Sequence, residues 1–146
     1  YVYLVNENNS TLTAFSFSSA GRLTELNTLS TRAAGATGNN TGAEIAVHPS
    51  GDFVYSSNRG DNNIAVFHIA PSTGMVTLVG HVPTGGTTPR SFAIDPSGAW
   101  LYAANQNSDT IITFSIDATS GMPSATGASM PFDNPSFIGF VSLPPR

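Results

Sequence analysis

Four charged side chains in this sequence have the chemistry to bind and transform a small anionic molecule: Glu7, Glu44, Arg59 and Arg90. Arginine guanidinium groups bind carboxylate or phosphate groups through paired hydrogen bonds. A glutamate beside such a group can move a proton or activate a water molecule. These residue types predict a site for an anionic, oxygen-rich molecule, provided that the fold brings distant parts of the chain together.

The composition excludes several other kinds of chemistry. The chain has 146 residues, only 10% of them charged, and contains no cysteine, so thiolate nucleophiles, disulfides and Cys-ligated zinc are ruled out. Its five basic residues, all arginine, are too few for a nucleic-acid-binding face. No apolar run approaches the roughly 20 residues of a membrane helix. His48, His68 and His81 lack metal-ligand spacing, and we expect neither a metal nor another cofactor.

An internal repeat organises the chain. Similar segments begin at Tyr3, Tyr55 and Tyr102, each with the pattern Tyr-x-x-Asn and a following apolar run that ends in Phe, at intervals of about 50 residues. A unit of this length with four short β-rich runs is typical of one propeller blade, a four-stranded antiparallel sheet. We therefore predict an all-β fold that forms part of a β-propeller ring.

The complete second unit predicts four strands, which we call A to D. They are expected at residues 43–47, 53–57, 63–69 and 75–82. Between strands A and B lies His48-Pro49-Ser50-Gly51, and one unit later Asp95-Pro96-Ser97-Gly98, both of which carry the residue types of a type I turn. Strand B is almost continuously apolar, which indicates a sheet covered on both faces by neighbouring sheets.

The repeat also predicts the limits of each blade. Residues 1–32 are expected to form strands B to D of one blade, residues 42–84 and 89–128 two complete blades, and residues 135–141 the inner strand of a further blade. Because natural propellers use about four to eight blades, these parts cannot close a ring. The expected partners are therefore the remaining blades of the same propeller, and we expect this part of the ring to be inactive alone.

The direction of each strand determines at which edge of its sheet the polar loop residues lie. In an antiparallel sheet, the loop from B to C and the start of A emerge at the same edge. Glu7 and Arg59 lie in B-to-C loops, and Glu44 and Arg90 lie near the starts of A strands. All four are therefore expected near one mouth of the central channel. The alternative is that Glu44 simply pairs with one of the two arginines.

Asn105 and Gln106, which begin the third B-to-C loop, are predicted as further substrate contacts. Asn6, Asn58 and Asn105 recur at one repeat position, which favours a structural role for the asparagine. Glu7, Arg59 and Gln106 differ at the next position, as expected where a functional site interrupts a repeat.

The sequence resembles the seven-bladed lactonase family that includes 6-phosphogluconolactonase and the fungal carboxy-cis,cis-muconate cyclases. The resemblance covers nearly the whole chain, and the stretches that carry it include Ala43-Glu44-Ile45, Ser57-Asn58-Arg59-Gly60, Thr84-Gly85-Gly86 and Pro89-Arg90. It implies part of a seven-bladed ring whose channel mouth holds the glutamate at Glu7 and the arginine at Arg59. Glu44 and Arg90 match further polar positions of the motif, whereas Ser91 stands where the resemblance implies an asparagine.

The resemblance leaves more than one function open. The first hypothesis is a metal-independent lactonase acting on a sugar-acid lactone such as 6-phosphogluconolactone, and the second is a muconate cyclase that closes a lactone. In either case the partner is a small anionic lactone or carboxylate, not nucleic acid or a membrane. The third hypothesis is a non-catalytic propeller that binds other molecules. Sequons at Asn8, Asn9 and Asn39 favour an extracellular protein over a cytoplasmic one.

Overall fold

The computed structural model describes residues 1–141 and consists of three antiparallel sheets. The strands are β1 (Val2–Asn6), β2 (Thr11–Phe17), β3 (Leu23–Ser30), β4 (Gly42–Val47), β5 (Phe53–Asn58), β6 (Asn63–Ile69), β7 (Val76–Pro83), β8 (Pro89–Ile94), β9 (Trp100–Asn105), β10 (Thr110–Ile116) and β11 (Pro123–Pro131). Sheet 1 contains β1 to β3, sheet 2 contains β4 to β7, and sheet 3 contains β8 to β11, each in chain order. The predicted all-β propeller architecture is confirmed.

The strands of sheet 2 agree with the predicted A to D to within one residue at each end. The third blade was predicted to end at residue 128, whereas β11 continues to Pro131 beside β10. Within the described residues, the only helical segment is a single 3₁₀ turn at Gln106–Ser108, and no helix there is long and apolar enough to cross a membrane.

Residues 135–141 form no strand with the described part of the chain, and their place as the inner strand of a further blade stays a prediction. This segment lies beside sheet 3, where the Ile138 amide donates to the Ser91 hydroxyl and the Phe140 ring packs against Tyr102. A strand requires a ladder of backbone hydrogen bonds, and within residues 1–141 no strand pairs with this segment.

Packing between sheets explains the apolar character of strand B. Along β5, Phe53 and Tyr55 pack with side chains of sheet 3, whereas Val54 between them packs with sheet 1. Successive side chains of a strand point to opposite faces, so a strand buried on both faces favours consecutive apolar side chains such as Phe53, Val54 and Tyr55. All six residues of β5 are buried. Sheet 2 is therefore the middle layer between two apolar interfaces.

Buried hydrogen bonds recur across both interfaces. The Asn58 amide donates to the Thr31 carbonyl of the preceding sheet at 2.7 Å, and the Asn105 amide donates to the Thr84 carbonyl at 3.0 Å. We call these contacts the Asn–Thr links. Asn58 also donates to Asn63 and accepts hydrogen bonds from the hydroxyl of Thr31 and the amide of Asn40. The repeated asparagine thus holds neighbouring blades together, as its recurrence indicated.

A second set of contacts crosses each interface in the other direction. The Tyr3 hydroxyl donates to the carbonyl of Gly74 at 3.0 Å, and the Tyr55 hydroxyl donates to that of Gly121 at 2.7 Å. We call these the Tyr–Gly links. Burial raises the pKa of Tyr55, which keeps its hydroxyl protonated and able to donate. Each link joins strand B of one sheet to a C-to-D turn of the next.

Asn58→Ala should lower the free energy of unfolding by about 2–4 kcal/mol, because it leaves several buried polar groups without partners. Urea unfolding of the natural protein, followed by circular dichroism, measures the loss. Asn107→Ala is the matched control, since Asn107 is exposed on the 3₁₀ turn and should change stability by less than about 0.5 kcal/mol. Equal losses in the two variants would contradict a special role for the Asn–Thr link.

Candidate active site

The four predicted charged residues surround one cavity of about 260 Å³ at the end of the sheets where strands B end and strands A begin. Its lining consists of Glu7, Gly42, Ala43, Glu44, Arg59, Arg90 and Ser136. A larger cavity of about 620 Å³ lies at the opposite end between sheets 1 and 2, but Asp52 is the only charged side chain in its lining. The smaller cavity is therefore the candidate site.

Glu7 is placed by the close approach of sheets 1 and 2. The Gly42 amide donates to the Glu7 carbonyl at 2.9 Å, which fixes the start of β4 against the end of β1. A Cβ atom on Gly42 would lie 2.6 Å from the Val5 side chain, so the approach requires a glycine. The Glu7 carboxylate accepts a hydrogen bond from the Arg59 guanidinium, and its side chain remains 63% exposed.

The loop that carries Arg59 is fixed by hydrogen bonds to Thr41 and Asn40. The Arg59 amide donates to the Thr41 carbonyl at 2.9 Å, and the Asn40 side chain accepts from the next two amides, those of Gly60 and Asp61. The Asp61 carboxylate in turn accepts two hydrogen bonds from Arg32 at 2.8 and 2.9 Å. The backbone that carries Arg59 is therefore fixed at the rim of the cavity.

The pairing of Arg59 with Glu7 contributes little to stability. Because one partner is largely exposed, solvent screens the attraction, and such pairs are worth about 0–1 kcal/mol. The Nε atom of Arg59 is buried and has no hydrogen-bond partner among the described residues. The contact therefore places the two groups side by side at the cavity and adds little stability.

Glu44 and Arg90 both project from irregularities in the inner strands. The pairing of β4 with β5 shifts between Gly42 and Ile45, and the pairing of β8 with β9 shifts between Pro89 and Ser91. A bulge of this kind adds a residue to one strand and changes the direction of its side chain, often next to a functional site. Both charged side chains line the cavity as a result.

The Glu44 carboxylate is held by hydrogen bonds, not by an arginine. One oxygen accepts from the Ser91 hydroxyl at 3.0 Å, and the other accepts from the Ile45 amide at 3.2 Å. The ion pair of Glu44 with Arg59 or Arg90, considered as an alternative above, does not form. Arg90 is exposed, and its side chain makes no hydrogen bond or ion pair within residues 1–141.

Asn105 and Gln106 do not line the cavity. Asn105 is fully buried and is used in the Asn–Thr link to Thr84, and Gln106 starts the 3₁₀ turn, where its amide donates to the Thr88 carbonyl at 2.9 Å. The Asn105 amide nitrogen is used between the sheets, and the contacts of Asn105 and Gln106 with substrate stay predictions. Ser136, which does line the cavity, was missed because its segment was predicted to be a regular strand.

The cavity thus offers two carboxylates, two guanidinium groups and a hydroxyl. Among residues 1–141, no group of three or more His, Asp or Glu side chains is placed to hold a metal ion. Arg59 is occupied by Glu7, whereas the Arg90 guanidinium has no partner among residues 1–141. This arrangement can bind a negatively charged group and place a carboxylate beside it.

Stacked antiparallel sheets whose loops form a polar mouth define this chain as part of a β-propeller. The family model described as "Lactonase, 7-bladed beta-propeller" matches residues 1–140, and the chain belongs to this family. The expected family resemblance is therefore confirmed.

Several relatives with solved structures or curated sequences are similar to this chain. The periplasmic gluconolactonase PpgL of Pseudomonas aeruginosa is 33% identical with a TM-score of 0.91, and the match covers 97% of this chain and 39% of that protein. A protein from Lactobacillus plantarum is 32% identical with a TM-score of 0.86, over 90% of this chain and 39% of that one. A 6-phosphogluconolactonase of Pectobacterium atrosepticum is 35% identical over 85 residues, which cover 58% of this chain and 26% of the relative.

Proposed function

We propose that the propeller containing these blades is a lactonase that hydrolyses an anionic sugar-acid lactone, such as 6-phosphogluconolactone. The observation that carries the proposal is the Arg90 guanidinium, unpaired within residues 1–141, in a polar cavity that also contains Glu7, Glu44 and Arg59. The names of the Pectobacterium and Pseudomonas relatives support hydrolysis of a sugar-acid lactone. Because the chain covers only 39% of the Pseudomonas protein, further blades are expected to complete the pocket.

Lactone hydrolysis has simple requirements. The oxygen of a water molecule adds to the lactone carbonyl, the ring C–O bond breaks, the ring oxygen takes a proton, and the product is a hydroxy acid. A base that accepts the water proton accelerates the first step. A fixed positive charge or hydrogen-bond donor stabilises the negative charge that develops on the carbonyl oxygen. An anchor for the anionic group holds the lactone in place.

The cavity residues can supply each of these functions. Arg59 and Arg90 bind the anionic groups of the substrate, and the Arg90 fork is free to do so. Glu7 has one oxygen occupied by Arg59 and is exposed enough to exchange a proton with water, so it acts as general base or acid. Glu44, fixed by two hydrogen bonds, orients the attacking water or an arginine. The proposed reaction needs no metal ion.

Two other functions remain as alternatives. A carboxy-cis,cis-muconate cyclase would use the same acid and guanidinium groups to close a lactone, and lactone formation from a muconate would identify it. A non-catalytic binding protein is compatible with the pairing of Glu7 and Arg59, which alone could be structural. Arg90 and the hydrogen-bonded Glu44 favour an enzyme, because in the described part of the chain neither forms an ion pair that would stabilise the fold.

We also propose an extracellular location. The asparagines of all three sequons, Asn8, Asn9 and Asn39, are exposed, and the Pseudomonas relative is named as periplasmic. Fractionation of the source cells tests this location, since recovery of the protein only in the cytosol would contradict it.

Glu7→Gln should lower kcat for 6-phosphogluconolactone by about 100-fold or more, because the amide cannot accept the water proton. The natural full-length protein is assayed by proton release in a weakly buffered solution. Glu25→Gln is the control, since Glu25 lies on exposed β3 away from the cavity and should leave kcat unchanged. Unchanged turnover in Glu7→Gln would remove Glu7 from the mechanism.

Arg90→Lys should raise KM by about tenfold with a smaller change in kcat, because lysine keeps the charge but loses the two-pronged hydrogen bond. Steady-state kinetics on the same lactone measures both constants. Arg22→Lys is the matched control: Arg22 is exposed in the turn between β2 and β3, at the opposite end of the sheet. A KM that is equal in both variants would exclude Arg90 as the anion anchor.

A further inference from the structure

Ser91 joins three parts of the candidate site. Its side chain lies on β8 and is only 1% exposed. Its hydroxyl is 3.0 Å from a Glu44 carboxylate oxygen on β4 and 3.3 Å from the Ile138 amide nitrogen in the segment after β11. Ser91 is therefore a buried polar contact between sheet 2, sheet 3 and the segment that follows.

The chemistry of the two partners fixes the direction of the hydroxyl proton. A serine hydroxyl has one proton to donate and lone pairs that accept. The Ile138 amide can only donate, and an ionised Glu44 carboxylate can only accept. The proton of Ser91 must therefore point to Glu44, and the hydrogen bond holds that carboxylate in one orientation. Hydrogen bonds to charged acceptors are about twice as strong as neutral ones.

The same hydroxyl also fixes a wall of the cavity. Ser136 lines the cavity and is two residues from Ile138, and Pro135 before it is buried. The segment has no strand ladder among the described residues, so the contact with Ser91 is one of few polar bonds that locate it. Displacement of the Ile138 amide would move Ser136 relative to Glu44.

We infer that Ser91 is a positioning residue, which fixes the Glu44 carboxylate and Ser136 relative to each other across the cavity. This inference rests on the proposed lactonase function, since it assigns the residue that orients Glu44 toward the substrate. Ser91 itself does not line the cavity. Its effect on turnover depends on Glu44 and Ser136, which do line the cavity.

The test compares Ser91→Ala with Ser91→Thr in the natural full-length protein. The alanine variant should lower kcat by roughly tenfold and change KM by less than about twofold, because a loosely held group costs rate more than binding. The threonine variant restores the hydroxyl and should recover kcat to within about threefold of the parent. Ser115→Ala, on β10 away from the cavity, controls for loss of a serine hydroxyl elsewhere.

Hydrogen exchange supplies a second measurement that does not depend on turnover. The Ile138 amide should exchange about tenfold faster in Ser91→Ala, because its acceptor is gone, and should stay protected in Ser91→Thr. If the alanine variant does not fold, Ser91→Cys keeps the buried volume and weakens the hydrogen bond, with changes in the same direction.

The outcomes separate the two proposals. An active parent with unchanged kcat and unchanged exchange at Ile138 in Ser91→Ala would overturn the positioning role alone. A loss of kcat in Ser91→Ala that Ser91→Thr fails to restore would also overturn it. Such a loss would come from a structural defect at this position and not from the missing hydroxyl. A parent that turns over no lactone would overturn the proposed function, and the exchange measurement would then decide whether Ser91 holds the segment.

Discussion

Burial of sheet 2 on both faces is the constraint on which the rest of this structure depends. Because the side chains of β5 alternate between the two neighbouring sheets, the sheets must lie face to face, with corresponding strands in corresponding positions. The ends of strands B and the starts of strands A then meet at one edge of the stack. Glu7, Glu44, Arg59 and Arg90 share a cavity for this reason, although the first and last are separated by more than half of the chain.

The positions of the charged side chains depend on irregular strand pairing as much as on the regular repeat. Glu44 in β4 and Arg90 in β8 lie at neighbouring positions of the repeat, and each coincides with a shift in strand pairing. A regular strand would direct alternate side chains into the apolar interfaces, where a charge is costly. The irregular pairing lets each inner strand keep its apolar contacts and still present one ionised side chain to the channel. The buried hydroxyl of Ser91 then holds one of these side chains without an opposing charge.

Much of the fold was predictable from the sequence, and so was the set of charged groups at its mouth. Tyr3, Tyr55 and Tyr102 marked the repeat, and the alternation of strand direction assigned each loop to an edge. The bulges were not predictable, because nothing in the residues around Glu44 or Arg90 distinguishes an irregular pairing from a regular one. The recurrence of Asn105 with Asn6 and Asn58 indicated its structural role, whereas its contact with substrate stays a prediction. Ser136 was missed because Pro135 to Val141 resembles a strand but has no partner strand among residues 1–141.

The Asn–Thr and Tyr–Gly links run in opposite directions across each interface, and both kinds occur between sheets 1 and 2 and between sheets 2 and 3. Sheet 2 therefore carries one donor for the sheet before it, Asn58, and one for the sheet after it, Tyr55. A gene segment that encodes one blade brings both halves of the connection with it. Tandem duplication of such a segment can add a blade to a ring without requiring a new kind of interface. Substitutions confined to the loop after strand B can then give each copy its own chemistry.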